Sequence, residues 1–272
     1  MAQKKQFKDL NLNNAFLFAA ALEDEEICRL VLECILGTQV GKVRVKPERS
    51  VLFSSDFRCV RLDIFASDEQ NVDYNLEMQN IDEKNLPQRS RYHQAEMDLS
   101  SLKPSQDFKE LKPSIIIFIC TFDPFGRKLY RYTFETRCLE ADFPLEDGTK
   151  RIFLSTVGEN ESDVPEELVC FLRYVTNSTD GYVERTGDLK LGKMHERIKA
   201  LKQNRELEER YMQFEEILKK ERIAGYDAGQ SAGSWQMWEL ISRMIADGKA
   251  DMIPKLKSEN NFYKSMLQEY HL

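Results

Sequence analysis

Three polar residues, Asp63, Glu77 and Gln79, have the types and spacing that metal-assisted chemistry needs. Two carboxylates at close range can bind a divalent cation such as Mg²⁺, which takes oxygen ligands and keeps several waters. The amide of Gln79, one pleat beyond Glu77, could orient an attacking water or the scissile phosphate. A cation held there polarises a phosphate and lowers the pKa of bound water, so the pattern indicates phosphodiester hydrolysis.

The stretch from Arg61 to Gln79 has to bring the two acids together. Apolar residues occupy its even positions and polar residues its odd positions, on both sides of the polar segment 67–71. This alternation predicts two half-buried strands joined by a turn. Folding the chain about Gln70 places Asp63 opposite Glu77, with Cβ atoms about 5 Å apart, where like charges repel. A cation between the carboxylates would offset that repulsion.

An ordinary strand with one solvated face would show the same alternation. Many solvent-facing strands carry alternating acids, and Arg61 on the polar face could simply neutralise them. On spacing alone, the solvated face is the better interpretation, and the metal site stays the alternative.

The elements around this hairpin predict an α/β fold. Asn11 to Asn14 would start helices over 15–22 and 25–36, which Gly37 ends, and 40–45 alternates like a strand. The unbroken apolar run 115–120 predicts a central strand covered on both faces. Further strands are expected over 129–138 and 151–155, and a short helix over 166–175. This order predicts a central mixed sheet flanked by helices.

A helix after the hairpin carries two basic residues near its start. Apolar residues at helical spacing (Tyr92, Ala95, Leu99 and Leu102) predict its buried side, and Pro87 suits its first turn. Arg89 and Arg91 lie on the opposite side, near backbone N–H groups that can bind a phosphate. The alternative is an ordinary surface helix, with Arg91 paired to Asp82 or Glu83.

The C-terminal part of the chain differs in composition, being rich in Lys, Glu, Arg and Leu. We expect a domain over 1–186 and a helical extension over 187–272, with a long, highly charged helix over 189–224. Gly225, Gly229 and Gly233 follow four residues apart, which fits a flexible joint as well as close helix contact. Self-association through this extension is a hypothesis.

Composition narrows the compartment and the partners. The net charge of −7 argues against a protein that binds nucleic acid over its whole surface. A nucleic-acid partner would therefore bind at a local basic patch or through a metal. The six cysteines lack metal-finger spacing and are expected to be reduced thiols, which predicts a cytoplasmic protein. The apolar runs are too short to span a membrane.

Several segments together resemble the Rpn group of recombination-promoting nucleases, also described as putative transposases, in the PD-(D/E)XK nuclease superfamily. The similar segments are LNNAFLFAAAL, VRLDIFASD, YNLEMQ, LPQRSRYHQAEMD, IFICTFDPFG and ERYMQFEEI, which follow the family's order over most of the chain. The resemblance implies a restriction-endonuclease-like fold, Mg²⁺ or a similar cation such as Mn²⁺, and DNA as substrate. By position, Asp63 and Glu77 correspond to the metal-binding acids, and Gln79 stands where many members have Lys.

The chain departs from this group at a few positions. Asn13 and Asn14 stand where members often carry an Asp near the first helix, and His93 replaces a frequent second Tyr. Glu25 or Glu26 would be the remaining candidates for a third acidic ligand. The expected function is a metal-dependent DNA endonuclease linked to recombination or transposition, and the alternative is a non-catalytic scaffold that keeps the nuclease fold.

Overall fold

The computed structural model describes residues 6–47 and 64–272. The helices in these ranges are α1 (Ala15–Leu22), α2 (Glu25–Leu36), α3 (Leu86–Ser101), α4 (Glu166–Thr176), α5 (Asp180–Thr186), α6 (Leu189–Lys202), α7 (Arg205–Ala246), α8 (Ile253–Ser258) and α9 (Asn260–Glu269). The strands are β1 (Arg44–Pro47), β2 (Ile64–Ser67), β3 (Asp73–Gln79), β4 (Ser114–Cys120), β5 (Arg131–Phe134) and β6 (Thr149–Ser155). Short 3₁₀ helices lie at Phe7–Asp9, Phe108–Glu110, Glu161–Asp163 and Ala250–Met252.

The described strands form one mixed sheet in the order β1-β2-β3-β4-β6-β5. β1, β2 and β3 pair antiparallel, β3, β4 and β6 run parallel, and β5 returns antiparallel to β6. The predicted α/β fold with a central mixed sheet, flanking helices and a helical C-terminal region is confirmed, and it is consistent with a restriction-endonuclease-like core. β4 is internal in the sheet, as the apolar run 115–120 predicts.

The hairpin register follows the prediction wherever the chain is described. Ile64 pairs with Leu76, and Ala66 pairs with Tyr74, so the fold is about Gln70. Asp68 shapes the turn, because its Oδ1 accepts from the backbone N–H groups of residues 70 and 72, each at 2.9 Å. Asp63 lies outside the described residues, as does Arg61, and the pairing of Asp63 with Glu77 therefore stays a prediction.

Both faces of β3 are covered, which makes the prediction of a half-buried strand wrong for this strand. One face of the sheet packs against α1, α2, α4 and α6 through a core that includes Leu76 and Ile117. The other face packs against α3 through residues such as Phe118 and Met97. The polar residues of β3 on this second face are therefore buried: Asn75, Glu77 and Gln79 are 0%, 6% and 9% exposed.

The side of α3 that faces the sheet is opposite to the predicted one. Tyr92 and Leu99 of the predicted apolar side are 57% and 82% exposed. Ser90, His93 and Gln94 are buried instead, together with Met97. The reason lies in the surface beneath the helix. β3 presents the buried Glu77 carboxylate there, and the polar side of α3 supplies Arg89 as its counter-charge, which the apolar side cannot.

Helix ends near the start of the chain follow local rules. Asn14 caps α1, because its Oδ1 accepts from the backbone N–H of Leu17 at 3.0 Å. Gly37 ends α2 in the left-handed conformation, with φ of 71°. Both boundaries were predicted.

The chain divides into two compact units, Met1–Glu208 and Glu209–Leu272. The helix predicted over 189–224 is interrupted at residues 203–204, where Asn204 caps the start of α7 by accepting from the N–H of Leu207 at 3.1 Å. The boundary between residues 186 and 187 stays a prediction. In the second unit, a small core includes Leu240, Met244 and Leu256.

The three spaced glycines all lie inside α7, so the interpretation as a flexible joint is wrong for the described chain. A Cβ placed on Gly225, Gly229 or Gly233 would meet nothing within 4 Å in the described residues, so the glycines make no close helix contact there either. Within the described ranges, no helix combines the length and the apolar character that crossing a membrane requires.

Candidate active site

Glu77 is the centre of the buried polar surface between β3 and α3. The Gln79 amide, two residues further along the same strand face, donates from Nε2 to Glu77 Oε1. The Arg89 guanidinium, from the first turns of α3, donates from Nη2 to the same oxygen. Strand alternation and the packing of α3 thus bring together two of the three predicted catalytic residues and one predicted DNA-binding residue.

His93 lies between Glu77 and a second carboxylate. Its Nε2 lies 3.3 Å from Glu77 Oε2, and its Nδ1 lies 3.3 Å from Glu96 Oε2. The ring is 3% exposed and packs near Phe118, with centroids 6.1 Å apart. His93 occupies this position because it follows Arg89 by four residues, which places both side chains on one side of α3.

The two arginines predicted to contact DNA lie on different sides of α3. Arg89 is 31% exposed in its ion pair with Glu77, and its Nη1 lies 3.9 Å from Glu83 Oε2. Its Cζ also lies 6.0 Å from the centre of the Phe118 ring. Arg91 is exposed, and within 6–47 and 64–272 it has no ion pair. Glu83, one of the two acids predicted to pair with Arg91, thus lies beside Arg89.

The start of α1 lies at the end of β3. Asn80, which follows β3, donates from Nδ2 to the backbone carbonyl of Asn13 at 2.7 Å. This contact brings Asn13 to the same end of the strand as Gln79. The segment in which the sequence resemblance led us to look for a further acid therefore lies near Gln79 in the fold, and it carries Asn13 and Asn14.

Glu25 and Glu26, considered as third ligands, belong to α2 on the other face of the sheet. Glu26 Oε1 is 2.8 Å from Arg29 Nη2, and this hydrogen bond lowers the pKa of Glu26. Glu25 is exposed. Within the described residues, neither carboxylate is joined to Glu77 by a contact.

Cys120 borders the site on β4, where it pairs in register with Gln79. Burial raises the pKa of the Cys120 thiol to about 12, and the nearby charge of Glu77 acts in the same direction. The thiol is therefore protonated at neutral pH and is a poor nucleophile. A covalent mechanism through Cys120 is disfavoured.

The donors present suit a hard cation only in part. Glu77 offers carboxylate oxygens, of which Oε2 accepts no hydrogen bond from the described chain. Gln79 adds an amide, and oxygen donors are what Mg²⁺ and Mn²⁺ take. Within the described ranges, however, no three His, Cys, Asp or Glu side chains cluster in a way that could hold a metal ion. A metal site there would need a further ligand from outside the described residues, where the predicted ligand Asp63 lies.

Comparison with known proteins identifies the family. A family model described as "PD-(D/E)XK nuclease family transposase" matches residues 15–223, which is most of the chain. The chain belongs to this family. No curated protein and no solved structure matches the chain.

Membership of the PD-(D/E)XK nuclease family transposases confirms the resemblance drawn from the sequence and supports a nuclease or transposase type of function. Of the residues predicted for the site, the structure brings Glu77, Gln79 and Arg89 into contact. Sequence reasoning did not assign His93 or Glu96 to this cluster. Their spacing from Arg89 on the same helix was the available signal, but the predicted apolar side of α3 pointed the other way.

Proposed function

We propose that this protein is a Mg²⁺- or Mn²⁺-dependent DNA endonuclease that acts in DNA recombination or transposition. The observation that carries the proposal is the buried Glu77 carboxylate, which receives both Gln79 and Arg89 on one oxygen. Burying a charged carboxylate is costly unless it is paired. A buried acid on a central strand of a PD-(D/E)XK family member is what metal-assisted phosphodiester hydrolysis needs.

In this proposal, Asp63 and Glu77 are the metal ligands and Gln79 orients the attacking water or the phosphate. When bound, a divalent cation supplies Lewis-acid polarisation of the scissile phosphate and offsets developing charge. Arg89 neutralises Glu77 in the absence of a cation, and its partly exposed guanidinium is available to a phosphate once Glu77 has another partner. Arg91, exposed on α3, would contact the DNA backbone.

A plasmid-nicking assay with Mg²⁺ and with Mn²⁺ tests the activity. The full chain is expected to nick plasmid DNA, and Asp63→Ala and Glu77→Ala are expected to abolish the nicking. Glu83→Ala is the matched control, because it removes an exposed carboxylate near Arg89 without touching Glu77. Nicking that persists in Asp63→Ala and Glu77→Ala proteins would contradict the assignment of these residues.

The second candidate function is a non-catalytic scaffold that retains the nuclease fold. It is favoured by Asn13 and Asn14, which stand where related proteins often have an acid, and by the Arg89 side chain that already neutralises Glu77. Titration calorimetry with Mn²⁺ distinguishes the two functions. Binding that Asp63→Ala abolishes speaks against the scaffold, and no binding to the unmodified chain supports it.

We also propose that the chain self-associates through its C-terminal helices and resides in the cytoplasm. α7 exposes large apolar side chains, with Tyr226, Trp235 and Trp238 at 70%, 64% and 69%. Trp238→Glu should then lower the mass measured by light scattering, and Met212→Glu, a similarly exposed position earlier on α7, is the comparison.

The buried free thiols of Cys28, Cys34 and Cys120 support the proposed cytoplasmic location, because free thiols are typical of a reducing compartment.

A further inference from the structure

Asn75 is a buried amide at the centre of the sheet. It lies on β3, in register with Phe65 on β2 and Ile116 on β4, and it is 0% exposed. Neither its Oδ1 nor its Nδ2 has a hydrogen-bond partner in the described chain. An unpaired buried polar group costs about 1–3 kcal/mol, and an apolar residue at this position would avoid that cost. An internal strand position that breaks this rule calls for a functional explanation.

The position of Asn75 relative to Glu77 mirrors that of Gln79. Asn75 precedes Glu77 by two residues and Gln79 follows it by two, so all three side chains lie on one face of β3. Same-face neighbours on a strand are about 7 Å apart at Cβ. The Gln79 amide spans this separation when it donates to Glu77 Oε1, with a side chain one methylene longer than that of Asn75.

The second oxygen of Glu77 is the open acceptor. Oε2 accepts no hydrogen bond from the described chain, although His93 Nε2 lies 3.3 Å away. Asn75 has an N–H donor without an acceptor on the same strand face. The unused donor and the unused acceptor are therefore two residues apart, in the same buried layer beneath α3.

We propose that Asn75 is a positioning residue for Glu77, donating from Nδ2 to Oε2 when the carboxylate turns from Arg89 towards a divalent cation. This inference rests on the proposed function. With Gln79 on one oxygen and Asn75 on the other, the carboxylate plane is held from both sides along β3. Each carboxylate oxygen has a second lone pair, which remains for the cation.

Gln94 offers a purely structural alternative for the same amide. It is buried on α3, donates to Ser114 Oγ at 2.6 Å, and its Oε1 has no partner in the described chain. Ser114 pairs with Asp73, which lies on the same face of β3 as Asn75. If Asn75 served only to pair with Gln94, removing either amide would change the stability of the fold and leave the binding of a cation at Glu77 unchanged.

The test compares Asn75→Leu, Asn75→Ser and Gln94→Leu in the full chain by two measurements. Calorimetric titration with Mn²⁺ gives the Kd, and thermal unfolding in EDTA gives the stability without cation. Residues that orient a metal ligand typically contribute 10–100-fold to affinity, so Asn75→Leu should raise the Kd by about that factor. Its midpoint should stay equal or rise, because leucine removes the unpaired amide. Asn75→Ser keeps a donor and should lose less affinity, and Gln94→Leu should leave the Kd unchanged.

Three outcomes overturn the role of Asn75 alone. The first is an unchanged Kd in Asn75→Leu, and the second is a Kd that Gln94→Leu raises as much as Asn75→Leu does. The third is weaker Mn²⁺ binding together with a lower thermal unfolding midpoint in both Asn75 variants, because that result reports lost packing. If Asn75→Leu does not fold, Asn75→Ser decides the matter by the same two measurements. Mn²⁺ binding that is absent from the unmodified chain, or that survives Glu77→Ala, instead overturns the proposed function and the role of Asn75 with it.

Discussion

Arg89 reaches from α3 to Glu77 on β3, and its guanidinium shares one carboxylate oxygen with the Gln79 amide. This pair joins the helix to the central sheet through charge, at the point where we propose that a cation binds. The Glu77 carboxylate can pair with either Arg89 or a divalent cation, because both supply positive charge to a buried anion.

Arg89→Gln should lower the free energy of unfolding in EDTA by about 1–3 kcal/mol. The loss leaves Glu77 buried without its counter-charge, and the value is below that of a fully buried pair because Arg89 is 31% exposed. At one fixed Mn²⁺ concentration, the cation should stabilise Arg89→Gln more than the unmodified chain, because without competition from Arg89 the Kd is lower. A concentration of 100 times the Kd stabilises a protein by about 2.7 kcal/mol. Urea unfolding with and without Mn²⁺ measures this.

The control for that experiment is Arg91→Gln, which removes an exposed arginine two residues away. It should change neither the stability in EDTA nor the response to Mn²⁺. An equal response of the two variants to Mn²⁺ would show that Arg89 and the cation do not compete for Glu77.

Arg91→Gln should weaken DNA binding without changing its sequence preference. If Arg91 contacts one phosphate, the slope of log K against log salt should become shallower by about 0.9. Fluorescence anisotropy with a labelled duplex at several salt concentrations measures the slope. Lys103→Gln, further along the chain after α3, is the comparison, and equal slopes for Arg91→Gln and the unmodified chain would contradict the contact.

The orientation of α3 can be tested with two truncations on one helix. Met97→Ala should lower the free energy of unfolding by about 2–4 kcal/mol, because Met97 is 4% exposed in the core beneath the helix. Leu99→Ala should change it by less than about 0.5 kcal/mol, because Leu99 is 82% exposed. Urea denaturation compares them, and a larger loss in Leu99→Ala would restore the orientation predicted from periodicity.

Stability should fall at alkaline pH because of buried thiols. Burial raises the pKa of the Cys28, Cys34 and Cys120 thiols to about 12, whereas the pKa of a thiol in the unfolded chain is about 8.5. Between these values, the unfolded chain binds fewer protons than the native one. The stabilisation is therefore fully present below about pH 8.5 and decreases as pH rises, by about 1.4 kcal/mol per pH unit for each thiol.

Urea unfolding at pH 8, 9 and 10 measures this slope. Cys120→Ala should reduce it by the share of one thiol, and Cys138→Ala, at a partly exposed position, is the matched control. A slope that Cys120→Ala leaves unchanged would show that the Cys120 thiol does not ionise on unfolding in this range.

Much of the framework was predictable from local sequence, because local interactions determine it. The alternation on both sides of Gln70 predicted the hairpin register that Ile64 and Leu76 show. The apolar run 115–120 predicted the central strand, and Asn14 and Gly37 predicted helix boundaries through capping and the left-handed conformation. Each of these features depends on residues close together in the chain.

The interruption after α6 and the continuity of α7 were not predicted. Asn204 starts a new helix by capping the N–H of Leu207, although the charged sequence around it is suited to one helix. The glycines at 225, 229 and 233 cost helix stability and still lie within α7. At Asn204, capping competes with the propensity to continue one helix, and at the glycines the cost of glycine competes with helix propagation. The free-energy differences between these outcomes are small, so sequence patterns cannot predict which outcome is favoured.

The sequence by itself determined the acidic strand, with Glu77 and Gln79 on one face, because side chains alternate along any strand. Only the tertiary structure decided which side of α3 covers that face, and so which residues join the site. Periodicity assigned Tyr92 and Leu99 to the interior on the assumption that the surface beneath was apolar. The face of β3 beneath α3 carries Glu77 instead, and burying a carboxylate without a counter-charge is costly, so Arg89 and His93 face it.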